Sequence, residues 1–145
     1  MGETLPEDKD VMLRKIANPV FFYIFEHHNP TVMGFLGKQF PIQDVTHACE
    51  LFYLFNKGLV SKPTPVPGDA EVTDQFTTAF TNFAKYGNPN GPDEDKTDLH
   101  VYWKPLDNLN HNRNLVFATN GPRMDEQFFE GRVAKYLEII EKHRD

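Results

Sequence analysis

The segment Asn18 to Glu26, NPVFFYIFE, sets the tightest limit on what this chain can fold into. It is nearly continuous in apolar character and is built of aromatic and β-branched residues, the composition of a strand buried on both faces. Such a strand needs neighbours along its edges and a layer over each face, so an α/β architecture is predicted with this strand inside the sheet. The run stops at His27-His28-Asn29-Pro30, where the proline disfavours further extension and the asparagine suits a turn.

The rest of the chain supplies helices more readily than strands. Residues 31–46 read as a loop through Gly34, Gly37 and Pro41. They lead into Asp44 to Phe55, DVTHACELFYLF, where Leu51, Leu54 and Phe55 fit a short helix. Ser61 to Gly68, SKPTPVPG, holds three prolines in eight residues, which excludes a helix or a central strand and predicts a stiff connector. From Asp69 the residues Val72, Phe76, Ala79, Phe80 and Phe83 recur at helical spacing. Acidic residues open that helix, Lys85 stands in its last turn, and Gly87 and Pro89 end it.

Asn88 to Asp98, NPNGPDEDKTD, is a polar turn region, and Val101 to Trp103 and Asn114 to Ala118 are short strand candidates. A second amphipathic helix is predicted from about Asp125, with Phe129, Val133, Tyr136, Leu137 and Ile140 as its apolar stripe and Gly131 as a weak point. The order strand, loop, helix, connector, helix, strand, helix is α/β. The length is that of one domain with a polar lead at 1–17, yet only short, weak strand candidates remain to flank the FFYIF strand.

Charge and composition exclude several functions. Fifteen Lys and Arg against twenty-one Asp and Glu give a net charge of −6, with the basic residues scattered, so nucleic acid is not an expected partner. No window approaches the roughly 18 apolar residues of a membrane span, and the N-terminus is acidic where a signal peptide would be basic and then apolar. A cytoplasmic location is the default expectation. Cys49 is the only cysteine, so no internal disulfide can form.

His47 stands at the mouth of the short helix, and from the residues alone it is a catalytic base, a metal ligand or an ordinary helix-start residue. The metal reading is weak: His47 and Glu50 could share a helix face at i,i+3, but no third ligand follows at a usual spacing. No metal or cofactor is expected. His27 and His28 would point to opposite sides of a strand and read as its polar end. Cys49, two residues from His47, would face elsewhere on the helix and reads as buried and inert. Ser61, the only serine, lacks the glycines and the strand-turn-helix setting of a nucleophile elbow.

Several segments, in order, resemble the type-B carboxylesterases and cholinesterase-like proteins of the α/β-hydrolase fold. NPVFFYIFEHH is similar to a late sheet strand of that family, and DVTHACELFYLF to its Gly-x-x-His-x-x-Glu-Leu-x-Tyr-x-Phe segment. FTNFAKYGNPN, YWKPL and NLVFATNGPRMDEQFFEGRVAKYLEII resemble the segments that follow. The resemblance implies a C-terminal fragment of an α/β-hydrolase fold, made of its last sheet strands plus two amphipathic helices. It also implies that His47 occupies the position of the triad's general base, with Glu50 as a supporting group and a small-molecule carboxylic ester as substrate.

This chain departs from the family pattern at Asp44, where the family has glycine, and at Cys49, which does not match the family's disulfide cysteines. In the family the serine elbow, oxyanion-hole glycines and triad acid precede the strand with which the resemblance begins. The isolated chain is therefore expected to be inactive by itself. The alternative expectation is a non-catalytic interaction module, as in adhesion relatives, or a truncated degenerate esterase that self-associates through an exposed sheet edge. Many members of the family are secreted, so the resemblance leaves the compartment of a full-length parent open.

Overall fold

The FFYIF run contributes only a three-residue strand, β1 (Tyr23–Phe25), and the sheet is organised around a different segment. In the computed structural model, which describes residues 18–39, 41, 44–57, 62–93, 95–107, 110 and 112–143, a short 3-10 helix spans Gly34–Gln39. Helix α1 (Glu50–Phe55), helix α2 (Asp69–Tyr86), strands β2 (Asn114–Ala118) and β3 (Gly121–Asp125), a second 3-10 turn (Phe128–Gly131) and helix α3 (Arg132–Lys142) follow. Strand order is β1-β2-β3, with β1 parallel to β2 and β2 antiparallel to β3.

β2 is the central strand, a correction to the expectation that residues 18–26 would be. Leu115, Val116 and Phe117 are at most 1% exposed, whereas β1 is half-buried. A continuous apolar run tells which side chains leave water but not which strand has ladders on both edges. Within β1 the side chains still divide between two faces. Tyr23 and Phe25 pack on Phe76 of α2 at ring separations of 5.6 and 5.4 Å, while Phe22 meets Phe128 at 4.9 Å. Phe76 against Phe117 at 4.9 Å joins helix to sheet in an aromatic core that includes Trp103.

α2 occupies the predicted span. Its Val72, Phe76 and Ala79 are buried, and Gly87 closes it in the left-handed conformation with its N–H on the Phe83 carbonyl. β3 escapes sequence reading because Pro122 argues against a strand. It is tolerated because β3 is an edge, paired with β2 alone among the described residues. Residues 101–103, a strand candidate, are instead an irregular segment in which the Asn90 side chain fastens Trp103. Asn90 Oδ1 accepts from the Trp103 N–H at 2.7 Å and its Nδ2 donates to the Trp103 carbonyl at 2.9 Å, replacing the partner strand.

The last helix begins at Arg132 and not near Asp125, since β3 and the 3-10 turn take up the intervening residues. Gly131 precedes α3 with φ 76° and so is not a weak point inside it. Tyr136 and Ile140 of the predicted stripe, and Ile139 beside them, are exposed and uncovered by the described residues. The side chains of Phe129, Val133 and Leu137 lie outside them, as do residues 1–17 and Ser61. Among the described residues no helix is long and apolar enough to cross a membrane.

Candidate functional site

His47 lies on a turn of residues 47–49 that leads into α1. The turn is closed by the Cys49 N–H on the Thr46 carbonyl and the Leu51 N–H on the Ala48 carbonyl, both at 3.2 Å. Ala48 adopts φ 67°, a conformation that costs an alanine about 1 kcal/mol. His47 is exposed, and its ring has no hydrogen-bond or ion-pair partner among the described residues. Cys49 points inward and is buried, with its Sγ 3.0 Å from Thr46 Oγ1. Among the described residues no cluster of three or more His, Cys, Asp or Glu could hold a metal ion.

α1 is too short to hold itself. It is held by Tyr53, which packs against Phe25 at 5.2 Å and against the His27 ring at 5.3 Å, and whose hydroxyl donates to Asp69 Oδ1 at 3.3 Å. Burial, and then the neighbouring Asp69 charge, push the Tyr53 phenol well above its ordinary range. It is therefore a donor at any physiological pH.

The polar centre of the molecule lies at His27, where sequence reasoning saw only the end of a strand. His27 is 1% exposed, and both ring nitrogens are engaged: Nε2 with Asp69 Oδ1 at 2.7 Å and Nδ1 with Thr119 Oγ1 at 2.8 Å. The other Asp69 oxygen accepts from Asn29 Nδ2 and from the Val66 N–H, each at 2.8 Å. Burial raises the Asp69 pKa, but hydrogen bonds from His27, Val66 and Asn29 outweigh it and hold the carboxyl below the usual range. Asn29 also donates to the Thr64 carbonyl at 2.9 Å.

One aspartate thus joins the end of β1, the proline connector, α1 and the first turn of α2, and His27 extends the link to the β2–β3 turn. Gly68 is required where these meet. Its φ is 93°, and a Cβ there would fall 2.7 Å from the Thr119 carbonyl oxygen. The sequence carried one faint signal for this site: polar residues at the carboxyl end of a parallel strand, where α/β proteins gather their chemistry. It held no sign of the partners, since Asp69 and Thr119 are 42 and 92 residues away.

Asp69, Tyr53 and Asn29 also line a cleft of about 520 Å³ together with Lys62 and Asp74, and His47 is not on its wall. The sequence-selected histidine and this cleft are therefore separate features.

Residues 9–135 match the sequence profile described as the Carboxylesterase family. Esterase cest-33 of Caenorhabditis elegans is 35% identical over 131 residues, which cover 90% of this chain and 23% of that protein. Neuroligin-2 of Homo sapiens is 27% identical over 137 residues, covering 85% of this chain and 16% of its own. Among solved structures, the Geobacillus stearothermophilus carboxylesterase EST55 superposes with a TM-score of 0.54 at 21% identity, over 80% of this chain and 22% of that one. The chain therefore spans about a quarter or less of the length of these relatives.

Proposed function

The chain belongs to the carboxylesterase family, and from that premise we propose that it carries the acid–base histidine of a serine carboxylesterase, His47. In this reading His47 takes the proton of a serine hydroxyl as it attacks an ester carbonyl, and returns it to the leaving alcohol. The serine, the oxyanion donors and the carboxylate that orients the ring come from residues outside these 145. Ser61 lacks the elbow that would make it a nucleophile. The observation that carries the reading is the family match across the His47 segment. An exposed imidazole whose nitrogens are unclaimed by the described residues, on a turn tied to the core through Tyr53, is consistent with it.

The test starts from the endogenous protein, isolated through peptides covering residues 44–55, with its intact mass and its rate on short-chain aryl esters measured. A species several times heavier than 16.8 kDa that hydrolyses the ester is expected. His47→Gln in that species should lower kcat by about a thousandfold or more with little change in KM. Retention of full activity in the variant would remove His47 from the role.

A second reading, supported by the similarity to Neuroligin-2 and by the uncovered Tyr136, Ile139 and Ile140 side chains of α3, is a non-catalytic interaction module. The outer edge of β1, unpaired among the described residues, would then take a strand from another copy. A 16.8 kDa species without ester hydrolysis, dimeric by light scattering, would favour it.

A further inference from the structure

Asp69, His27 and Thr119 stand in line as carboxylate, imidazole and hydroxyl. We propose that Thr119 is an acyl-accepting nucleophile, with His27 as its general base and Asp69 orienting the ring, and that its substrate is a small carboxylic ester with a good leaving group. The two contacts, 2.7 Å from Asp69 Oδ1 to Nε2 and 2.8 Å from Nδ1 to Thr119 Oγ1, meet the distance requirement for a nucleophile, its base and the base's orienter. Relative to a serine triad the two ring nitrogens exchange roles, which leaves the proton path intact.

The surroundings select one tautomer. Asp69 is a charged acceptor, so the neutral ring carries its proton on Nε2, and the Nδ1 lone pair faces the Thr119 hydroxyl. The ring is buried, whereas Thr119 is exposed in the two-residue turn between β2 and β3. An ester arriving from solvent therefore meets Thr119 and not the imidazole. Gly68 adds a constraint, because a Cβ there would lie 2.8 Å from Thr119 Cγ2. The connector backbone thus passes beside the threonine methyl, and glycine at 68 leaves it room.

In the reaction the Thr119 oxygen bonds to the ester carbonyl carbon while its proton passes to Nδ1, giving an imidazolium stabilised by Asp69. Collapse of the adduct breaks the bond to the leaving group, which departs as the alcohol or phenol with the proton from Nδ1. The products are an acyl-threonine ester and that alcohol, with no change of oxidation state. Base catalysis and orientation carry this step, so the acyl group is transferred from activated esters and then accumulates.

The experiment is to incubate the 145-residue chain with 4-nitrophenyl acetate and locate the label by intact mass and peptide mapping. A single acetyl group at Thr119 is expected, absent in Thr119→Val and formed about a hundredfold more slowly in His27→Gln with an unchanged circular dichroism spectrum. His100→Gln, which alters an exposed imidazole facing Glu71, should leave the rate as it is. If His27→Gln fails to fold, Thr119→Ser decides. Its less hindered hydroxyl should be labelled faster, and absence of label at position 119 overturns the proposal. Acetylation confined to lysines and the N-terminus, or equal labelling of Thr119 in a folded His27→Gln chain, overturns it as well. The mapped position separates this outcome from any acylation at His47.

Discussion

His27 and His47 are twenty residues apart in the chain and occupy opposite surroundings. His27 is buried, with a carboxylate on one nitrogen and a hydroxyl on the other, at the junction of β1, α2 and the β2–β3 turn. His47 is exposed, on a turn whose next residue is held in the left-handed region, with no partner among the described residues. The histidine singled out as a candidate base is thus the one that contributes little to the fold, and the histidine read as the polar end of a strand is the one the fold is built around. An imidazole with no partner among the described residues costs little to remove, whereas one already bonded on both sides leaves its partners unsatisfied when it goes.

The widest separation should come from alanine at each position. His27→Ala leaves the Asp69 carboxylate in a partly buried site without its imidazole donor and opens a void, a loss of about 4 kcal/mol in urea unfolding. His47→Ala should stay within about 0.5 kcal/mol. Equal losses would break the contrast.

Gly68→Ala tests the His27 junction without touching a polar group. The new methyl would meet the rigid Thr119 carbonyl oxygen at 2.7 Å in a backbone conformation with φ 93°, and a loss of about 3 kcal/mol is expected. A variant as stable as the parent would mean that the connector does not seat against the β2–β3 turn.

Acid separates the regions by a smaller margin. The folded Asp69 pKa lies below its ordinary value of 3.8, so its contribution is complete above that value and is lost as the pH falls through the folded one. Stability measured from pH 5 downward should therefore fall with a component that Asp69→Asn removes and His47→Ala retains. The same slope in all three chains would contradict the network.

The smallest effect belongs to the His47 turn. Ala48→Gly relieves the positive φ of 67° while adding freedom to the unfolded chain, for a net gain of about 0.5 kcal/mol. A measurable loss would mean that the alanine methyl makes contacts that offset its strain.

By itself the sequence determined the features that depend on neighbouring residues. Helix α2 was legible from Asp69 to Gly87 because its apolar period, acidic first turn and glycine stop are local signals. α1 and β2 were legible for similar reasons, and the His47 segment was legible because its motif is contiguous. Tertiary structure decided what depends on partners distant in sequence. It made β2 and not the FFYIF run the central strand, since burial and pairing are different quantities. It allowed Pro122 in a strand because that strand is an edge among the described residues, and it fastened residues 101–103 outside the sheet by bonding Asn90 to the Trp103 N–H and carbonyl. Above all it brought Asp69 and Thr119 to His27, a site that exists only because the parallel β1–β2 pairing and the connector close together around one buried ring.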